Sequence, residues 1–179
     1  MSTTLRCDDS NTIKWCVDAS FAVHQDFKSH TGAHAALGKG AFVTMSTKQK
    51  SNAKSSTEAE SVGADDASGQ VIWTRHFLEA QGCEVKDDIV FQDNESAVTL
   101  EKNGLASAGK RSRHINIRCF FLKDRISKGE VTIKCCPTDE MIGDYFTKPL
   151  QGGEFKKFRN ETLGANFFMF NYKVTKKNY

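Results

Sequence analysis

Short apolar runs separated by turn residues organise the first 50 residues. Residues Ile13–Val17 are rich in strand-forming side chains, and two further strand-like runs, Gly32–Leu37 and Ala41–Ser46, flank a glycine-containing turn. Two such runs around a short turn are typical of a β-hairpin. The N-terminal part of the chain therefore predicts three antiparallel strands.

A long helical pattern follows the hairpin. From Ser56 to Gln81 the larger apolar residues recur mainly on one side of a helix, and Gly82 marks its end. These apolar residues are Val62, Ile72, Trp73, Phe77 and Leu78. We expect this side to face the core.

The rest of the chain alternates strands with helices. Ile89–Gln92 and Val131–Cys135 have the composition of strands, and the first of them looks buried on both faces. Helices are predicted at Asn94–Lys102, His114–Ser127, Thr138–Thr147 and Phe155–Leu163. Three antiparallel strands followed by these elements predict an α/β fold, a mixed five-stranded sheet flanked by helices.

Four acidic residues stand at the ends of predicted elements or within them. Asp18 and Asp93 each end a strand-like run, Glu58 opens the long helix, and Asp144 lies in a short helical stretch. Carboxylates that converge repel one another unless a cation neutralises them, and hard oxygen ligands favour Mg²⁺ or Mn²⁺. This set of residues indicates metal-dependent phosphoryl transfer.

Composition and charge indicate which kinds of partner the chain can bind. The 179 residues, 39% of them hydrophobic, fit one domain with a core of its own. The net charge of +3 hides basic clusters at residues 48–54, 110–118 and 148–177, a distribution that suits contact with a nucleic-acid backbone. No run approaches the ~20 apolar residues of a membrane span, and no secretory signal is visible. We therefore expect no membrane partner and an intracellular location, cytoplasmic or nuclear, with the six cysteines reduced and no zinc site.

Five short strings resemble, in order and spacing, the ribonuclease H domain of copia-type LTR retrotransposon polyproteins. The strings are Val17–Ala19, Ser55–Glu60, Gln92–Ala97, Arg113–Arg118 and Gly143–Leu150. The match covers about residues 13–163. The resemblance implies a ribonuclease H-like fold. It also implies a domain at residues 13–150, preceded by a leader at 1–12 and followed by a C-terminal helix and tail at 151–179.

The same resemblance implies an activity and a site. The chain is expected to be an endoribonuclease that cuts the RNA strand of RNA–DNA hybrids during reverse transcription, with two Mg²⁺ ions, or Mn²⁺ as a substitute. Asp18 would bridge both ions, and Asp144 would hold the ion that activates the attacking water. Glu58 and Asp93 would hold the ion beside the leaving 3′ oxygen. Glu60, about 200° further around the helix, is expected to face away.

Nucleic-acid contacts are expected mainly from one basic loop. The residues are Asn94, Lys110, Arg111, Ser112, Arg113 and His114. The basic side chains would neutralise phosphates. Asn94 would contact a minor-groove edge or a ribose 2′ hydroxyl, or would instead be the N-cap of the following helix. Many cellular ribonucleases H carry a histidine in the loop before the last helix, and the corresponding Cys136–Asp139 has none.

Other interpretations stay open from the residues alone. Glu58 also fits the third helical position of a capping box that Ser55 begins. The chain as a whole could be another nuclease of the same superfold, or a catalytically silent, connection-type module that only binds nucleic acid. The polymerase domain of the same polyprotein is the expected partner, so the chain would be a fragment or a stand-alone remnant, and a virus-like particle would be its cytoplasmic setting.

Overall fold

A computed structural model describes residues 2–103 and 121–165 of the chain. The strands are β1 Arg6–Cys7, β2 Thr12–Ser20, β3 His30–Ala36, β4 Gly38–Lys39, β5 Val43–Lys48, β6 Asp87–Gln92 and β7 Thr132–Cys135. The helices are α1 Ser56–Ala80, α2 Glu95–Asn103, α3, whose described part is residues 121–127, and α4 Gly152–Thr162. Two 3₁₀ helices, Thr138–Glu140 and Ile142–Phe146, lie between β7 and α4.

Five of the strands form one mixed sheet in the order β5-β3-β2-β6-β7. The central strand β2 runs antiparallel to β3 and parallel to β6, and β6 runs parallel to β7. In this register Asp18 lies opposite Gly32, and Cys16 lies beside Phe91. The predicted mixed five-stranded sheet is confirmed.

Helix α1 packs on one face of the sheet through small residues. Its buried positions include Gly63, Ala64, Ala67 and Val71. A methyl group at Gly63 would lie 3.3 Å from Cβ of Ala19, so the helix approaches the sheet too closely for large side chains along this line.

The expected inward face of α1 is therefore partly wrong. Trp73 and Phe77 are 58% and 46% exposed and stack on each other with ring centroids 5.0 Å apart. Val62 is buried, and Ile72 and Leu78 pack against the core as expected, whereas Trp73 and Phe77 stay outside because the helix packs closely through glycine and alanine.

The opposite face of the sheet holds a second hydrophobic cluster. It consists of Cys16, Phe91, Cys136, Met141, Ile142 and Phe158. Phe158 of α4 is fully buried, and α4 packs against the second 3₁₀ helix, Ile142–Phe146. This cluster fixes the segment that carries Asp144.

The predicted α-helix from Thr138 to Thr147 is also wrong. Thr138 provides no side-chain cap, and the backbone at Met141 leaves the helical region with φ −75° and ψ 87°. Gly143 explains why the segment is irregular, since a methyl group there would lie 2.8 Å from Cβ of Asp18 and 3.0 Å from its backbone nitrogen. The segment forms 3₁₀ turns instead of a regular α-helix, and its backbone lies directly against β2.

The described N-terminal residues pack against the rest of the domain. Strand β1 pairs with β4, and the backbone nitrogen of Thr4 donates a hydrogen bond to the carbonyl oxygen of Leu163 at 2.8 Å. The proposed domain boundaries remain predictions. Across residues 2–103 and 121–165, we find no helix with the length and apolarity needed to cross a membrane.

Candidate active site

Three carboxylates converge at the centre of the sheet. Asp18 lies on β2, Asp93 follows β6, and Glu60 lies in the second turn of α1. Each contributes one oxygen to a group whose members all lie within 4.8 Å of one another. The convergence arises because β2 and β6 are parallel neighbours, so their C-terminal ends share an edge that α1 crosses.

The expectation that Glu60 faces away from this group is wrong. Glu60 is in phase with the small residues Gly63, Ala64 and Ala67, which face the sheet. Those residues are the signal that identifies the inward face of α1. Glu60 is therefore a member of the carboxylate group that the sequence analysis missed.

Glu58, predicted as a metal ligand, makes different contacts. Its carboxylate accepts a hydrogen bond from the backbone nitrogen of Lys54 at 2.8 Å, and its own backbone nitrogen donates to Oγ of Ser55 at 3.1 Å. These two bonds resemble a capping box at the start of α1. Within the described residues, Glu58 is not a member of the carboxylate group.

The environment of Glu60 suits a cation. Burial raises the pKa of the Glu60 carboxyl to about 9, and the negative charges of Asp18 and Asp93 add to the rise. Its Oε2 atom is buried and has no hydrogen-bond partner among the described residues. A buried carboxylate oxygen without a partner, beside two further carboxylates, fits a divalent cation that prefers oxygen ligands. The donor set therefore fits Mg²⁺ or Mn²⁺.

Asp144 lies beside the group on the second 3₁₀ helix. Burial raises the pKa of its carboxyl to about 7, the charge of Asp18 adds to the rise, and a hydrogen bond from Lys148 opposes it. The ammonium of Lys148 lies 2.7 Å from Oδ1 of Asp144 and 3.9 Å from Oδ1 of Asp18. Asp144 and Asp18 thus share one counter-charge.

Thr147 fixes the orientation of Asp18. Its hydroxyl donates a hydrogen bond to Oδ2 of Asp18, and its carbonyl oxygen accepts one from Oγ of Ser20 at 3.1 Å. Gly32 makes room for this contact, since a methyl group there would lie 2.6 Å from Cγ2 of Thr147. The string Gly143–Leu150 contains Asp144 and also Thr147 and Lys148. Thr147 contacts Asp18, and Lys148 contacts Asp144.

Of the predicted nucleic-acid contacts, Asn94 falls in the described part of the chain. Its Oδ1 accepts a hydrogen bond from the backbone nitrogen of Ala97 at 3.0 Å, so Asn94 caps α2. The remaining predicted contacts lie outside the described residues. They are Lys110, Arg111, Ser112, Arg113 and His114.

A cleft beside Lys148 contains two histidines. His24 Nε2 and His30 Nδ1 are 3.0 Å apart, and His30 Nε2 is 2.9 Å from Oγ of Ser46. The hydroxyl of Ser46 donates to the carbonyl oxygen of Phe146 at 2.8 Å. This chain of hydrogen bonds connects the hairpin to the residue before Thr147, so the hairpin helps to hold the Asp144 segment in place.

The fold is that of ribonuclease H domains. LC11-RNase H1, isolated from compost by a metagenomic approach, superposes with a TM-score of 0.57, covering 76% of this chain and 92% of that one at 12% identity. This likeness confirms the predicted fold class.

Comparison of the sequence gives the family relationship. No family model matches the chain. It is 31% identical over 145 residues to the retrovirus-related Pol polyprotein from transposon TNT 1-94 of Nicotiana tabacum, and 28% identical over 146 residues to that from transposon RE1 of Arabidopsis thaliana. Each match covers 80% of this chain, which spans about a tenth of those polyproteins, 11% and 10%. The homologues of this chain are thus retrovirus-related Pol polyproteins of plant transposons, and the resemblance seen in the sequence is confirmed.

Proposed function

We propose that this chain is a metal-dependent endoribonuclease that hydrolyses the RNA strand of RNA–DNA hybrids during retrotransposon reverse transcription. The observation that supports the proposal best is the convergence of Asp18, Glu60 and Asp93 within 4.8 Å on a ribonuclease H fold. The homology to transposon Pol polyproteins supports the biological setting.

In this proposal Asp18, Glu60, Asp93 and Asp144 hold two Mg²⁺ ions, with Mn²⁺ as a substitute. Glu60 takes the place that the sequence analysis assigned to Glu58, because among the described residues the carboxylate group within 4.8 Å contains Glu60 and not Glu58. Two bound ions would supply an activated water and stabilise the negative charge that develops on the phosphodiester.

The chain's own residues prepare the site before substrate arrives. Thr147 holds Asp18 in one orientation, and Gly143 brings the Asp144 segment against β2. Burial and the neighbouring carboxylates raise the pKa of Glu60 to about 9 and that of Asp144 to about 7, so without a cation Glu60 holds its proton at neutral pH and Asp144 is only partly protonated. Protons bound to either carboxyl must leave before it binds an ion. Fixed carboxylates of this kind are the preorganisation that phosphoryl transfer needs.

Substrate contacts beyond the carboxylates are also part of the proposal. Asn94 follows Asp93 in the chain and its Oδ1 caps α2, so its side-chain amide nitrogen is the atom proposed to contact the hybrid. Lys110, Arg111, Ser112, Arg113 and His114 are proposed to contact the backbone of the hybrid. The reverse-transcriptase polymerase domain of the same polyprotein is the proposed partner that positions the hybrid.

The test uses an RNA–DNA hybrid labelled on its RNA strand, with double-stranded RNA and double-stranded DNA of the same sequence, in Mg²⁺ and in Mn²⁺. We expect cleavage of the RNA strand of the hybrid and loss of cleavage in Asp93→Asn. Cleavage of double-stranded DNA would instead indicate another nuclease of the same superfold. Hybrid binding without cleavage by the natural protein in either ion would indicate a silent binding module.

A further inference from the structure

The ammonium of Lys148 lies where a cation would bind Asp144. It is 2.7 Å from Oδ1 of Asp144 and 3.9 Å from Oδ1 of Asp18. The two carboxylate side chains are 5% and 2% exposed, whereas the side chain of Lys148 is 38% exposed. Lys148 therefore reaches from the protein surface into a buried acidic group.

The contact has a clear electrostatic reason. Buried carboxylates at short distances repel one another strongly, and removal of water strengthens that repulsion. Among the described residues, Lys148 is the cation that pairs with both Asp18 and Asp144. It therefore stabilises the folded protein when no metal ion is bound.

The same contact opposes ion binding. A divalent ion bound through Oδ1 of Asp144 would compete with Lys148 for that oxygen, and one bound through Oδ2 would still lie close enough to the ammonium for the two cations to repel each other. Lysine is a point charge on a flexible four-carbon stem, so a partly exposed ammonium can move into water when an ion arrives.

We propose that Lys148 is a built-in competitor of the divalent ion at Asp144, which stabilises the ion-free site and weakens ion binding there. This inference rests on the proposed function, since it assumes that Asp144 is an ion ligand. Lys148 acts on the reaction through Asp144, so it is a positioning residue. Lys148 raises the concentration of free Mg²⁺ that is needed to fill the site.

The test compares Lys148→Met with a matched control. Lys128 forms an ion pair of the same spacing with Asp124, four residues earlier and also at 2.7 Å, on an exposed surface away from the carboxylates. Methionine removes the charge and keeps an unbranched side chain in both variants. Mg²⁺ affinity is measured by titration calorimetry, and unfolding temperature is measured with and without Mg²⁺.

We expect Lys148→Met to bind Mg²⁺ about ten-fold more tightly than the natural protein, because the competing charge has gone. Without ions, its unfolding temperature should fall by about 3–8 °C, since buried carboxylates lose their counter-charge. Lys128→Met should leave the affinity unchanged and shift the unfolding temperature by less than about 2 °C. Lys148→Arg, which keeps the charge, should bind Mg²⁺ as weakly as the natural protein.

Two results would overturn the inference in distinguishable ways. If Lys148→Met loses stability but binds Mg²⁺ with unchanged or weaker affinity, Lys148 has a structural role and the competition is refuted, while the proposed function stands. If neither the natural protein nor any variant binds Mg²⁺ or Mn²⁺, the ion site and the proposed function fail together.

Discussion

Glu58 and Glu60, two residues apart on α1, are both buried, yet their carboxylates make different contacts. The carboxylate of Glu58 accepts a hydrogen bond from the backbone nitrogen of Lys54 at 2.8 Å, whereas that of Glu60 joins Asp18 and Asp93. Two residues correspond to about 200° of rotation on an α-helix, so the two side chains leave the helix in different directions.

The first prediction separates these two glutamates. Glu60→Gln should lower hybrid cleavage by at least about 100-fold, equivalent to ~2.7 kcal/mol of transition-state stabilisation, because an ion ligand is lost. Glu58→Gln should keep cleavage within about three-fold and lower the free energy of unfolding by about 0.5–1 kcal/mol, because the hydrogen bond to Lys54 weakens. Cleavage rates and urea unfolding of both variants check the prediction. The reverse pattern of activity would restore Glu58 to the site.

The second prediction concerns Gly143. In Gly143→Ala the new methyl group would lie 2.8 Å from Cβ of Asp18, so the Asp144 segment must move away from β2. We expect a loss of about 1–3 kcal/mol in the free energy of unfolding, together with weaker Mg²⁺ binding. Gly69→Ala on α1 is the control, since no atom lies within 4 Å of its added methyl group, and it should stabilise by about 0.5–1 kcal/mol. Unchanged ion affinity in Gly143→Ala would show that the close contact does not position Asp144.

The third prediction follows from the buried Asp88. Burial raises its pKa to about 8, although Arg75 lowers it in part. The folded protein therefore binds a proton that the unfolded chain has already lost above pH ~4, so this stability contribution declines as pH rises from about 4 to 8. Asp88→Asn removes this decline. As pH rises, the free energy of unfolding of the variant should therefore decrease by about 1.4 kcal/mol per pH unit less than that of the natural protein. Urea unfolding at pH 5, 6, 7 and 9 checks this, and parallel slopes for the two proteins would contradict it.

The fourth prediction links ion binding to protons. Glu60 and Asp144 have pKa values raised to about 9 and about 7, so both must lose protons before they bind Mg²⁺. The dissociation constant for Mg²⁺ should fall between pH 6 and pH 8, and binding should release protons. Calorimetry in two buffers of different ionisation enthalpy measures the number released. An affinity that does not change with pH would mean that these carboxyls are not ligands.

Local signals were enough to predict most of the fold. Ser55 caps α1 and Gly82 follows its end, while the hairpin glycines separate β3 from β5. These features depend on residues close together in sequence, so periodicity and turn chemistry report them directly. The predicted mixed sheet is therefore the observed one.

The wrong predictions concern features that tertiary packing determines. Trp73 and Phe77 are large and apolar, yet they stack on the outside, because α1 approaches the sheet through Gly63 and Ala67. The Asp144 segment has capping residues and an apolar pattern, yet Gly143 against Asp18 replaces a regular helix with 3₁₀ turns. The side of a helix that faces the sheet, and the closeness of their backbones, depend on the surface the helix packs against. A pattern of residues within the helix does not describe that surface.

The sequence by itself determined the order of the elements and the likeness to ribonuclease H. It also predicted that Asp18, Asp93 and Asp144 lie close together, which they do in the structure, while their role as a catalytic site stays a proposal. The tertiary structure alone decided that Glu60 rather than Glu58 joins them, and that Thr147 and Lys148 orient and neutralise the carboxylates. The physical reason is distance. Hydrogen bonds and charge pairs act over a few ångströms, and 129 residues separate Thr147 from Asp18 until the chain folds.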